Sequence, residues 1–274
     1  MEIGHYNTLR ITGFTSHGAL LDGDGETILM PRKYVTPELQ TGDEVRVFVY
    51  LDQDDRLVAT LEQPRGEVGQ FCFLRVAWVN KYGAFLDWGL TKDLFVPYRE
   101  QWRRMVKDAS YLVYIYIDDK TGRIVASSKL DKFVQTQTDG YRVGQAVKVV
   151  VWKQTPMGFK VIVDGKYAGL VYRNEIFQPL HIGDKLDAYV KSVRPDGKLD
   201  IVLQTDGKRH VDDFAQQLFE ALRQAGGFLP VGDATPADEI YSRFEVSKKT
   251  FKRAVGSLYK QGVITISDEG IRLV

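Results

Sequence analysis

Residues 79–97, VNKYGAFLDWGLTKDLFVP, decide how this chain folds. They set two aromatic rings, Tyr82 and Phe85, on either side of Gly83 and Ala84, on what reads as a pair of strands. A looser version, SHGALLDGDGETILMP, precedes it at 16–31, and a third, PMGFKVIVDGKYAGLVY, follows at 156–172. Recurrence at such even spacing means three copies of one small β unit.

Working outward, strand-like runs rich in Val, Ile, Tyr and Phe fill each copy, separated by Gly/Asp turns. The first unit, 1–64, has LRITGF, GALLDG, TILMPRKYV and DEVRVFVYLD. The second, 65–141, has FCFLRVAWV, GAFLDWG, DLFVP, YLVYIYID and GRIVASSK, and the third, 142–206, has AVKVVVWKQ, GFKVIVDG, YAGLVY, DKLDAYVKSV and KLDIVLQ. Val68-Gly69-Gln70 and Val143-Gly144-Gln145 open the second and third units alike. About five short antiparallel strands in about 60 residues suit a closed barrel of the OB type, which removes its own sheet edges. Neither linker is of low complexity, so the barrels are expected to be closely coupled.

After Gln204 the period changes from two to about 3.6. In 207–274, Val211, Phe214, Leu218, Phe219 and Leu222 form one apolar stripe that ends at Gly226-Gly227. Thr235-Pro236 reads as the N-cap and first position of a second helix, with Asp238 as its capping-box acid. Ser247 caps a third, with Val246 and Phe251 placed to staple its start, and VITISDEGIRLV reads as a terminal hairpin. Three helices and a hairpin make a winged-helix pattern.

Composition sets mild limits. The 274 residues carry 44% hydrophobic and 27% charged side chains, as an ordinary globular protein does. No apolar run is long enough to cross a bilayer, and the lone Cys72 forms no internal disulfide, so a reduced, cytoplasmic protein is expected. The net charge of +1 hides an uneven distribution: about −6 over 1–64, +3 over 65–141, +4 over 142–204 and zero thereafter. Basic faces for a phosphate backbone are therefore expected in the centre and C-terminal half, and not on the acidic first unit.

These residues carry a family resemblance. The three units resemble S1 domains, the OB-fold subclass of RNA-binding modules, best in the second unit, where Tyr82-Gly83-Ala84-Phe85 is similar to the S1 aromatic-Gly-Ala-Phe hairpin. Three such units followed by this winged helix resemble the conserved virulence factor B family of bacterial RNA-binding proteins, above all in ATPADEIYSRFEVSKKTFKRAVGSLYKQGVI. The fold expected is mainly β with a C-terminal α+β domain: three S1-like OB-fold barrels in tandem, then a winged helix.

The resemblance implies site residues. S1 domains place two aromatics on the hairpin, a histidine after it and an Asp…Arg pair before the last strand. The second unit keeps Tyr82, Phe85, Asp118 or Asp119, and Arg123, with Pro97 at the histidine position and Phe71, Phe73, Arg75 and Trp88 as neighbours of the ring surface. Phe71 and Phe73 read more readily as core. The first unit has His17 and Leu20 at the hairpin, Pro31 at the histidine position, and Asp52 with Arg56, and is expected to be mainly structural. The third has Met157 and Lys160 at the hairpin, then Tyr172 at the histidine position, Arg173, Arg194 for the aspartate and Lys198 for the arginine. It is expected to contribute charge, with Tyr172, Phe159 and Trp152 as platforms.

On the third helix of the winged domain, Phe251, Ala254, Val255 and Leu258 share one arc, and Lys248, Lys249, Lys252 and Arg253 the opposite one. Lysines in a first turn oppose the helix dipole, which points to a reason outside folding, such as phosphate binding. The run Arg103-Arg104…Lys107 reads as a solvated loop, and Asp22-Gly23-Asp24-Gly25-Glu26 as a turn rather than a calcium loop. His5, His17, His181 and His210 are dispersed, and no metal-binding, nucleophile-elbow or phosphate-loop motif is present. The expectation is a non-enzymatic protein without cofactor or metal that binds single-stranded RNA. A winged-helix regulator of duplex DNA and a protein scaffold are the alternatives.

Overall fold

The computed structural model describes residues 1–138, 140–176, 179–203 and 208–274, the side chains of 208–213 excepted. Two compact units divide the chain, 1–134 and 135–274.

Barrel one is built from β1 (Tyr6–Thr15), β2 (Gly18–Asp22), β3 (Thr27–Pro31), β4 (Glu44–Leu51) and β5 (Leu57–Thr60). Barrel two follows with β6 (Phe71–Val79), β7 (Gly83–Asp87), β8 (Leu94–Pro97), β9 (Ser110–Ile117) and β10 (Ile124–Ser127). Barrel three has β11 (Ala146–Thr155), β12 (Gly158–Val163), β13 (Tyr167–Tyr172), β14 (Lys185–Val193) and β15 (Leu199–Val202). All three close in the OB order, with the third strand parallel to the fifth and every other pair antiparallel.

Two details recur in all three. The hairpin glycines Gly18, Gly83 and Gly158 lie opposite Pro31, Pro97 and Tyr172. A Cβ there would stand 2.0, 2.3 and 2.0 Å from the carbonyl oxygens of Met30, Val96 and Val171. Only glycine lets the second strand approach the third so closely. The register of the first strand then slips at one bulge, between Ile11 and Gly13, Val76 and Trp78, and Val151 and Lys153. A bulge places two residues against one partner and so re-aims the side chain that follows it.

Barrels one and two share a core in unit 1–134. The ring of Phe48 from barrel one meets Trp88 of barrel two edge-on, centroids 5.8 Å apart, and both are buried. Trp88 is thus not a neighbour of the stacking surface: it lies in the shared core, its indole N–H donating to the Lys92 carbonyl at 2.6 Å. Glu62 ties the same junction, accepting from Lys33 Nζ, Thr91 Oγ1 and the Thr91 N–H at 2.8 Å each. Lys92 Nζ donates to the Leu51 and Asp52 carbonyls at 2.9 and 2.6 Å. The acidic 22–26 segment is a turn, with Asp24 and Gly25 both at positive φ.

In unit 135–274, Gln135 bridges to Tyr167, and Thr138 Oγ1 donates to the Gly197 carbonyl at 2.7 Å. These residues, read from sequence as the end of the second unit, bond to barrel three. The winged helix has α1 (Lys208–Gln224), β16 (Phe228–Leu229), α2 (Ala237–Phe244), α3 (Lys248–Lys260), β17 (Ile264–Ser267) and β18 (Gly270–Leu273). The expected boundary at 206–207 and the Val211 side chain lie outside the described residues. Phe214, Leu218 and Leu222 of α1 are buried against Ile240 of α2 and Phe251, Val255 and Leu258 of α3. The start of α2 differs from expectation. Pro236, at ψ 149°, is the N-cap rather than the first helical residue, and the Thr235 hydroxyl accepts from the Gly232 N–H at 2.9 Å. The preceding loop claims the hydroxyl that the capping box required. Ser247 caps α3 as expected, accepting from the Thr250 N–H.

Candidate nucleic-acid interface

The antiparallel register of barrel two sets Trp78 opposite Phe85 and Phe85 opposite Phe95, one ring on each of β6, β7 and β8. Trp78 and Phe85 stack with centroids 3.7 Å apart and planes 3° from parallel, and Phe85 lies 4.8 Å from Phe95. Plain alternation along β6 would put Ala77 opposite Phe85. The bulge after Val76 brings the tryptophan there instead. Its indole N–H donates to Asp93 Oδ2 at 2.7 Å, which orients the ring.

Tyr82 stands at the end of this row, 63% exposed, with its N–H held by Asn80 Oδ1 at 2.8 Å. Trp78, Tyr82, Phe85 and Phe95 form the apolar floor of a groove of about 950 Å³, with Lys92, Arg99 and Arg123 on its edge. Tyr98 closes one side, its hydroxyl on the Asn80 carbonyl and the Arg104 guanidinium 3.7 Å from its ring centroid. Arg104, read from sequence as part of a solvated loop, therefore lies against a groove residue.

The Asp…Arg pair of the family pattern is split here. Asp118 accepts from Arg99 Nη2 at 2.7 Å and from the N–H groups of Lys120 and Thr121. Its burial favours the neutral acid, but these bonds outweigh it and hold the carboxyl below its usual range. Arg123 bonds instead to Asp55 of barrel one. In barrel one the pair is intact, Arg56 Nη2 lying 2.8 Å from Asp52 Oδ2.

Other expected residues fall elsewhere. Arg75 is on the same outer face but one pair further along, opposite Asp87, and is ion-paired to Asp108 at 2.8 Å. Phe71 is buried, as its core reading required, whereas Phe73 is 42% exposed. Sequence reasoning misses Trp78, Phe95, Arg99 and Lys92. Phe95 was within reach, because counting back from the Gly83–Pro97 pairing puts it opposite Phe85.

The same register transfers the row to the other barrels. In barrel one it reads Gly13, Leu20, Leu29, with no ring. In barrel three it reads Lys153, Lys160, Leu170. Both lysines lie over the buried Trp152 at the bulge, 4.5 and 5.4 Å from its ring centroid. A cationic pair thus occupies the place that rings hold in barrel two. Phe159, partly buried, packs against the interior of barrel three and does not share the outer row of Lys153 and Lys160. Tyr172 ends β13 half-buried, Arg173 is exposed beside it, and Lys198 pairs with Asp196 at 2.8 Å, the carboxylate that Arg194, at the aspartate position of the pattern, also approaches at 3.7 Å.

On α3 the apolar arc is buried as expected, leaving Lys249, Lys252 and Arg253 exposed and Lys248 half-buried. Lys252 Nζ pairs with Asp233 at 3.0 Å. Among the described residues, no group of three or more His, Cys, Asp or Glu side chains is arranged to hold a metal ion. No described helix is long and apolar enough to cross a membrane.

Comparison with known proteins places two domains directly. Residues 3–62 match the S1 domain model and residues 216–273 the CvfB-like winged helix domain model. The S1 match falls on barrel one, so the barrel with the least of the stacking pattern still carries the S1 signature. Protein YitL of Bacillus subtilis is 27% identical over 96% of this chain and 91% of its own length. Conserved virulence factor B of Staphylococcus aureus is 25% identical over 99% and 94%. A crystal structure of a multidomain protein with nucleic acid binding domains from Streptococcus pneumoniae aligns over 99% of this chain and 98% of that one, at 24% identity and a TM-score of 0.42. S1 and winged-helix domains are nucleic-acid-binding modules, and the chain carries one of each at its two ends within a near full-length similarity to the conserved virulence factor B proteins.

Proposed function

We propose that this protein binds single-stranded RNA, without catalysis, and acts in post-transcriptional control of gene expression in the cytoplasm. One observation carries the reading: an in-register row of rings across three neighbouring strands of barrel two, with Tyr82 exposed at its end. Unpaired bases stack on such rings at roughly 1–3 kcal/mol each, whereas the bases of a duplex are stacked on one another and hidden. Lys160 and Lys153 of barrel three supply charge for phosphates, as do Arg173 and, on the winged helix, Lys248, Lys249, Lys252 and Arg253.

The exposed basic arc of α3 favours a second reading, a regulator that docks this helix on duplex DNA. Titration of labelled single-stranded RNA and duplex DNA at two salt concentrations separates them. Tighter RNA binding, weakened by Tyr82→Ala with Phe85→Ala, is the expected result. Tighter duplex binding that ignores those substitutions overturns it.

A further inference from the structure

We propose that Asp55 of barrel one is an internal stand-in for a phosphate: it holds Arg123 at the edge of the aromatic groove until a nucleic-acid phosphate displaces it. The inference rests on the groove of barrel two being the RNA site.

The geometry is specific. Asp55 lies in the tight turn between β4 and β5, at φ 59°, and with Gln53 it lines the groove of the neighbouring barrel. Its carboxylate bonds to Arg123, while the carboxylate of Asp54, its neighbour in the turn, pairs with Arg56 of its own barrel at 2.8 Å. The turn is clasped from the other side by Lys92, whose ammonium holds the carbonyls of Leu51 and Asp52. Burial pushes the Lys92 pKa down, and the nearby charge of Asp55 pulls it back up. Barrel one, the acidic unit without rings in its own row, thus completes the charge pattern of a site on barrel two.

The two edge arginines differ in how firmly they are held. Asp118, the partner of Arg99, is buried and is fixed by the backbone of its own turn as well. Asp55 and Arg123 are both substantially exposed, at 40% and 56% of their side chains. An exposed ion pair is weak, and a phosphate oxygen accepts from the same guanidinium fork. Arg123 is therefore the cation that a ligand can take over, and each phosphate it gains costs one carboxylate contact. That exchange lowers affinity equally for every polyanion that engages Arg123, so preference for unstacked single strands comes from the rings, which offset the cost.

Asp55→Asn tests this in the full chain, since asparagine tolerates the left-handed backbone of the turn. The expected result is about two- to fivefold tighter binding of an oligouridine probe at low salt. The slope of log K against log salt should steepen, because no freed carboxylate then takes up a cation as the phosphate binds Arg123. Asp54→Asn, which removes the same charge from the adjacent position, should give a smaller gain, and Arg123→Ala should abolish the gain of Asp55→Asn. Unchanged or weaker binding by Asp55→Asn, or an equal gain from Asp54→Asn, overturns the proposal. Indifference of oligouridine binding to Tyr82→Ala with Phe85→Ala would instead overturn the groove as the RNA site, whatever Asp55 does.

Discussion

Trp78 and Phe85 face each other across β6 and β7 as a parallel stack, their ring centroids 3.7 Å apart. In this stack each ring fixes the plane of the other. Trp78 is 42% exposed, so its removal leaves the barrel core untouched. Trp78→Ala is expected to weaken single-stranded RNA binding by roughly 1–3 kcal/mol, about 5- to 150-fold, with little change in thermal stability. Fluorescence anisotropy beside a melting curve checks both halves.

Barrel three should act through charge rather than stacking. Lys153→Ala with Lys160→Ala removes both cations of its row, at the positions where barrel two has Trp78 and Phe85. Each lost phosphate contact should flatten the salt slope by about 0.7, so the pair should flatten it by about 1.4 and weaken binding across all sequences tested alike. A slope equal to that of the unaltered protein would show that barrel three does not touch the backbone.

The hairpin glycine should be intolerant for a reason of space. Gly83→Ala forces a methyl group to within 2.3 Å of the Val96 carbonyl oxygen and 2.9 Å of Pro97 Cα, both backbone atoms that cannot step aside. The expected cost is about 2–4 kcal/mol, read as an earlier urea midpoint. Because β7 and β8 carry Phe85 and Phe95, binding should fall with it.

Acid should loosen the junction of barrels one and two through Glu62. Burial raises its pKa, but bonds from Lys33 and Thr91 prevail and bring it from the reference 4.5 down to about 2. A depressed carboxylate contributes stability that is complete above about pH 4.5 and is lost as the pH falls toward 2. The contribution is on the order of 2–3 kcal/mol. Glu62→Gln should therefore lower the melting temperature at pH 7, with the gap to the unaltered protein narrowing below pH 4.5 and closing only toward pH 2. A gap that stays constant with pH would rule out this linkage.

How far the site could be read from residues alone depends on the residue. Tyr82 and Phe85 were legible because their spacing about Gly83 is local, and Phe95 was recoverable by counting back along the hairpin. Trp78 was not, because strand alternation puts Ala77 on the stacking face and only the bulge reverses that. Trp88 misled for the converse reason: its neighbour in space, Phe48, is remote in sequence and belongs to another barrel. Phe159 likewise sits near the expected position but takes the register of Ala84, which points inward.

Three barrels, a winged helix and their order were set by the sequence itself, since alternation, turn glycines and helical stripes are properties of short segments. The tertiary structure alone decided which rings share a face and which cations have partners. Those depend on single-residue register shifts and on Asp55, in the β4–β5 turn, reaching a groove built from the strands of the next barrel. Such distances are closed only by folding, and no local pattern encodes them.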